Sequence, residues 1–151
     1  MSLNLTLRDA TLADIETIFT IRTSVKENHL SREEMAEMGI TPQTIAGIIA
    51  ESPCIWLADV DGEPAGFAMA IAEEACLFAM FVQPQFEGQG AGKLLLEKAE
   101  AFLFAQQPII WLETAAGSRA AAFYQRHGWQ PAGEQDGEDI RLEKSRPAAA
   151  K

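Results

Sequence analysis

Hydrophobic and polar positions alternate from residue 3 to residue 8, with Leu3, Leu5 and Leu7 set against Asn4, Thr6 and Arg8. A period of two predicts a strand with one buried face. Asp9 to Thr11 supply turn and cap chemistry, after which Leu12, Ile15, Ile18, Phe19 and Arg22 recur at helical spacing and predict an amphipathic helix. The pattern lapses from Val25 to Ser31. Ser31 to Glu34 then reads as a capping box opening a short helix that Gly39 closes, and Thr41-Pro42 opens another through Glu51.

Beyond residue 53 the period changes. Cys54 to Val60 and Gly66 to Ile71 are apolar runs of strand length joined at Asp61-Gly62, the signature of a hairpin. A third run, Ala75 to Val82, ends at Pro84, so a three-strand antiparallel meander is expected. After Gly88, Gly90 and Gly92, the positions Leu94, Leu95, Ala99, Phe102 and Leu103 mark an amphipathic helix to about Ala105. Ile109 to Thr114 reads as a strand and Ser118 to His127 as a helix closed by Gly128. Trp129 to Ala132 and Asp139 to Glu143 read as two last strands around Asp136-Gly137.

Composition narrows the setting. The chain has 151 residues, 48% of them hydrophobic and 23% charged, which suits one folded domain over 1–145 with a disordered tail over 146–151. No apolar run approaches the ~20 residues of a membrane span. The first ten residues have neither the basic start nor the apolar stretch of a signal peptide, and two cysteines make no disulfide framework, so a cytoplasmic protein is expected. Twelve basic against 22 acidic side chains give a formal net charge of -10, which argues against nucleic-acid and anionic-membrane partners. An anionic small molecule would need a local exception to that charge.

The glycine cluster offers one. In Val82-Gln-Pro84-Gln-Phe-Glu87-Gly88-Gln-Gly90-Ala-Gly92-Lys93 a strand runs into glycines and then a helix start. Glycines allow close backbone approach, and the unpaired amides of a first helical turn attract phosphate. A tight strand-to-helix turn explains the same glycines. A dinucleotide fingerprint starting at Gly88 would need glycine in place of Lys93, and a Walker A loop would need glycine in place of Glu87, so neither fits. A second segment, Trp111 to Trp129, is strand, loop and helix. Ala120, Phe123, Tyr124 and His127 share a face there. Packing accounts for Ala120 and Phe123, whereas Tyr124, the single tyrosine, carries a hydroxyl able to donate a proton in a cleft.

Together the two segments resemble the GCN5-related N-acetyltransferase (GNAT) family. Its pyrophosphate loop, V-x-P-x-x-x-G-x-G-x-G, is matched by Val82, Pro84, Gly88, Gly90 and Gly92. Its later helix, A-x-x-F-Y-x-x-x-G-F/W, is matched by Ala120, Phe123, Tyr124, Gly128 and Trp129. The resemblance implies an α+β (mixed α/β) GNAT-like fold: a central, mostly antiparallel twisted sheet of about seven strands flanked by helices, with a splayed strand pair forming the acyl-CoA cleft. It implies acetyl-CoA as donor, the backbone of Met80, Phe81 and Val82 along the pantetheine arm, and Gly88, Gln89, Gly90, Ala91, Gly92 and Lys93 around the pyrophosphate. Tyr124 would protonate the leaving thiolate. Two residues depart from the pattern. Glu87 replaces the usual Arg or Gln and would either repel pyrophosphate or turn outward toward the helix dipole. Gly117 replaces a frequent Asn.

The implied chemistry is direct attack of a primary amine, small-molecule or peptide, on the thioester, which needs a base. Glu113 ranks first among the carboxylates, ahead of Glu73 and Glu74, with a rim carboxylate as the plainer account of it. Glu27 and Asn28, in the loop with His29, are candidates for holding the amine. Cys54 and Cys76 sit in apolar runs and suit packing better than a covalent relay, and His29 with His127 is too sparse for a metal site. A homodimer through the C-terminal strands and Trp129 is a possible assembly. The competing reading is a non-catalytic acyl-CoA-binding or regulatory module with the same fold.

Overall fold

A computed structural model describes residues 4–25, 30–133 and 139–147. Among the described residues seven strands form one sheet: β1 (Leu5–Asp9), β2 (Ile55–Val60), β3 (Glu63–Ile71), β4 (Cys76–Val82), β5 (Ile109–Ala115), β6 (Gln130–Pro131) and β7 (Asp139–Ser145). Their spatial order is β1-β2-β3-β4-β5-β7-β6, antiparallel throughout except for the parallel pair β4/β5. The helices are α1 (Ile15–Ser24), α2 (Arg32–Glu37), α3 (Pro42–Glu51), α4 (Ala91–Phe104) and α5 (Arg119–Arg126).

Local chemistry places most boundaries. The capping box at α2 forms as expected, with the Ser31 hydroxyl accepting from Glu34 N and the Glu34 carboxylate accepting from Ser31 N, each at 3.0 Å. Thr41 caps α3 with Pro42 in its first turn. Asp61 and Gly62 turn the β2/β3 hairpin with φ of 51° and 84°, the left-handed pair that a two-residue hairpin loop requires.

The sheet is covered on both faces, which is why β2 reads as a continuous apolar run rather than an alternation. Trp56, Ala58, Ala68 and Ala70 face α4, which buries Leu95, Leu96, Ala99 and Leu103 against them. Leu57, Phe67 and Met69 face α1 and α3 through Ile18, Phe19 and Ile45. At the chain's N-terminal corner, Asp14 accepts from Arg8 Nη1 at 2.9 Å and from Thr11 N at 2.8 Å, and Arg8 Nε donates to Asp59 at 2.9 Å.

Three expectations need correction. Leu12 is 62% exposed, because residues 12–14 form a 3-10 turn that rotates it away from the α1 stripe. Strand β6 has two residues rather than four. Trp129 is buried against Tyr124, and its indole N–H donates to Glu100 at 2.9 Å, so it is a core residue and offers nothing to a dimer edge. The Asp136-Gly137 turn and residues 148–151 of the expected tail lie outside the described residues. Arg146 is tied down, its N–H donating to the Pro108 carbonyl at 2.8 Å.

Candidate active site

Strands β4 and β5 pair only at Cys76 and Trp111, where Trp111 N donates to the Ala75 carbonyl at 3.0 Å, and then diverge. The cause lies in β4. Its register against β3 passes from Met69/Ala79 to Ala70/Leu77, leaving Phe78 as an extra, bulged residue that bends the strand. From Leu77 to Val82 the edge of β4 facing β5 therefore has no strand partner, a row of backbone groups ready to pair with an extended ligand arm. The gap is a cleft of about 1190 Å³. Pockets for one small ligand run to roughly 1,000 Å³, so this one is at the large end of that range.

At one end, β4 leads through the Pro84–Phe86 3-10 turn into the glycines. Gly88 and Gly90 have φ of 78° and 95°, conformations that side chains resist, and a Cβ at Gly90 would also meet Leu5 at 3.1 Å. Gly90 caps α4, whose first amides, from Ala91 to Lys93, have no partner within the helix and carry the positive end of its dipole. Gly88, Gly90, Gly92 and Lys93 line the cleft, as do Met80, Phe81 and Val82. The other two loop candidates are placed differently: Ala91 is buried in the core beneath α4, and the Gln89 side chain donates to the Gln85 carbonyl at 3.4 Å.

The opposite wall comes from β5 and α5. Ser118 is buried and caps α5, accepting from Ala121 N at 3.1 Å, which fixes how the helix leaves β5. Tyr124 lines the cleft but is only 5% exposed, lodged between Phe123 and Trp129. Burial pushes its phenol pKa well above the ordinary tyrosine value, so it stays protonated, as a proton donor must. Glu113, on β5, lines the cleft and is exposed. Cys54 and Cys76 are both buried. The Cys76 thiol is pushed up to about 11 by burial and the neighbouring charges of Glu74 and Glu113, which suits packing rather than nucleophilic attack. Glu27, Asn28 and His29 lie outside the described residues. Among the described residues no three His, Cys, Asp or Glu side chains gather as metal ligands do.

Charge in the cleft differs from charge on the molecule. Arg22, Lys93, Arg119 and Arg126 line it against Glu87, Glu113 and Asp139, a slight positive balance inside a chain of net charge -10. Glu87 takes neither of its expected orientations: its carboxylate spans to α5 and accepts from Arg119 Nη1 at 3.0 Å, which neutralises it beside the glycine turn. Gly117 turns with a φ of 76°, a left-handed conformation that Asn also tolerates, so the departure from Asn keeps the turn. The sequence reading missed Arg22, Arg119, Arg126 and Asp139. A signal existed for Arg22, a cation on the apolar stripe of α1. The others reach the cleft only through the splay of the sheet.

An unpaired strand edge with room for an extended arm, a glycine-lined helix start beside cations that suits an anionic group, and a protonated phenol opposite are compatible with an acyl-CoA-dependent acyltransferase. The comparisons with known proteins agree. Residues 51–131 match the acetyltransferase (GNAT) domain family. The chain is 30% identical over 122 residues to the peptidyl-lysine N-acetyltransferase YjaB of Salmonella typhimurium, covering 79% of this chain and 78% of that protein. It superimposes on PaiA N-acetyltransferase from Thermoplasma acidophilum, solved in complex with coenzyme A, with a TM-score of 0.78 at 20% identity, over 95% of this chain and 99% of that one. It superimposes similarly on ribosomal-protein-alanine N-acetyltransferase from Brucella melitensis, with a TM-score of 0.70 at 17% identity, over 93% and 99%. The chain belongs to the GNAT acetyltransferase family: it is an acyl-CoA-dependent N-acetyltransferase with acetyl-CoA as donor.

Proposed function

We propose that the protein transfers the acetyl group of acetyl-CoA to a primary amine of a small molecule or peptide by direct attack, in the cytoplasm, where thiols such as Cys54 and Cys76 stay reduced. The observation that carries this reading is the placement of Tyr124 and Glu113 on the wall facing the unpaired edge of β4. Bound acetyl-CoA supplies a thioester carbonyl open to nucleophiles. The amides of Gly88 to Lys93, with Lys93 and Arg126, hold its pyrophosphate, and the edge from Met80 to Val82 orients the pantetheine arm. An edge N–H there donates to the carbonyl oxygen as negative charge develops on it.

Glu113, directly or through one water, takes the proton of the attacking amine as the C–N bond forms. Tyr124 gives its proton to sulfur as the C–S bond breaks, and the two proton transfers leave a neutral amide and a free thiol. A non-catalytic acyl-CoA-binding module would be favoured by motif departures that spoil the site, and the two departures here are Glu87 and Gly117. With Glu87 paired to Arg119 and the turn at Gly117 intact, neither residue favours it.

Calorimetric titration with acetyl-CoA, followed by a thiol-release assay across amine classes, tests the proposal. Binding with amine-dependent thiol release is expected. Absence of acetyl-CoA binding, or binding with no amine turned over, would overturn it.

A further inference from the structure

Arg22, in the last full turn of α1, is half-buried, and its guanidinium has no carboxylate partner among the described residues. Its Nη1 is buried and has no hydrogen-bond partner among the described residues. Among the described residues its close partner is an aromatic face, the Phe81 ring, whose centroid lies 4.1 Å from Cζ. A ring face attracts a cation but accepts no directed pair of N–H bonds. Burial pulls the guanidinium's pKa below its ordinary value, yet arginine starts so high that it stays charged. A buried, unsatisfied donor requires an explanation. Two other part-buried or exposed arginines show the usual arrangement: Arg8 binds Asp14 and Asp59, and Arg32 binds Glu16.

The position of Arg22 supplies the explanation. It lines the acceptor side of the large cleft and also a small adjoining pit of about 40 Å³, walled by Phe19, Met35, Ile45, Phe67 and Met69. Phe81, beneath the guanidinium, belongs to the β4 edge along which the acyl donor is oriented. The neighbouring cleft residues Val25, Leu30, Met38, Ile40 and Phe78 are apolar. One planar guanidinium in apolar surroundings matches the two oxygens of a carboxylate; a phosphate's third oxygen would find no donor there. A lysine side chain within a peptide brings no anion for the guanidinium to pair with.

We propose that Arg22 is an acceptor-binding residue that pairs with a carboxylate on the amine substrate, so that the enzyme acetylates the α-amine of a free amino acid with a short apolar side chain. The side chain enters the pit, and the α-amine, on the carbon bearing the carboxylate, is held close to Phe81. This assignment rests on the N-acetyltransferase reading above and deepens it.

Initial rates of thiol release with L-valine and L-alanine are compared with those for their carboxamides. The amide's amine is less basic, so more of it is neutral at pH 8 and chemistry alone favours it. The expected result is a kcat/KM at least tenfold higher for the acids, falling to parity or below in Arg22→Met and partly restored in Arg22→Lys, with acetyl-CoA affinity unchanged in both. Independently of any variant, 3-methylbutanoate should inhibit the wild type competitively against the amino acid, and 3-methylbutanamide should not. Equal use of acid and amide, or acetylation confined to peptide lysines or polyamines, would overturn the role of Arg22 while leaving the acetyltransferase reading intact. Failure to bind acetyl-CoA would overturn both.

Discussion

Gly66 and Gly47 offer the same substitution with opposite consequences. Gly66 lies on β3, where an added Cβ would sit 2.6 Å from the Phe81 carbonyl oxygen, 3.0 Å from Val82 Cγ2 and 3.2 Å from Leu95 Cδ1. The nearest atom is backbone and cannot rotate aside. Ordinary contact begins near 3.4 Å, so β4 must move by about 0.8 Å at Phe81. Overpacking of this kind costs roughly 1–3 kcal/mol. For a chain of this size that lowers Tm by roughly 2–12 °C, at about 2–4 °C per kcal/mol. Gly47 lies exposed within α3, with nothing within 4 Å of its added Cβ. Gly47→Ala removes backbone freedom from the unfolded chain and should stabilise by about 0.5–1 kcal/mol, a rise of roughly 1–4 °C. The displaced segment of β4 is the edge assigned to the donor, so Gly66→Ala should also weaken acetyl-CoA roughly tenfold, given that a sub-ångström misplacement spoils a row of backbone hydrogen bonds. Gly47→Ala should leave affinity unchanged. Differential scanning fluorimetry and calorimetry read both quantities. A Gly66→Ala protein as stable as the wild type with unchanged affinity would refute the claim that close approach of β3 sets the position of β4.

Three further perturbations test other parts of the molecule. Tyr124→Phe preserves the buried ring packing and removes only the hydroxyl, so kcat should fall roughly 100-fold at unchanged acetyl-CoA affinity. Because burial raises the phenol's pKa, Tyr124 itself should cause no loss of activity up to pH 10 in a pH-rate profile. Asp14 is opposed by burial, but the hydrogen bonds from Arg8 and Thr11 prevail and hold its pKa below the ordinary carboxylate value. A depressed folded-state pKa gives stability that is present above the unfolded value of about 3.9 and lost as pH falls through the folded one. Asp14→Asn should therefore cost roughly 1–3 kcal/mol in urea denaturation at pH 7, and the deficit should shrink below pH 3. Glu87→Gln removes the carboxylate beside the glycine turn and loosens its hold on Arg119. Acetyl-CoA should then bind roughly 3–10-fold tighter at low salt, with the difference fading at high salt as exposed charges are screened.

Much of this was legible in the sequence because the controlling interactions are local. The capping box at Ser31, the Thr41-Pro42 start and the Asp61-Gly62 turn each depend on residues a few positions apart, and each forms where the pattern put it. The two glycine and aromatic motifs located the cleft for the same reason. What stayed hidden depends on long-range geometry. The partner of Glu87 is 32 positions away on α5, and only the splay of β4 from β5 brings Arg119 within reach. Trp129 reads as a surface aromatic until Glu100, on α4, accepts its indole N–H. Arg22 reads as the polar edge of an apolar stripe until Phe81 is found beneath it.

The single bridge between Cys76 and Trp111 leaves the sheet one strand short. If the donor's arm lies along β4, it completes the sheet, and ligand concentration becomes a term in folding stability. A ligand at 100 times its Kd adds about 2.7 kcal/mol, and one at 1,000 times adds about 4.1. The chain's resistance to local opening and proteolysis then tracks the acetyl-CoA supply of the cell. A fall in that supply would lower both turnover and the lifetime of the enzyme.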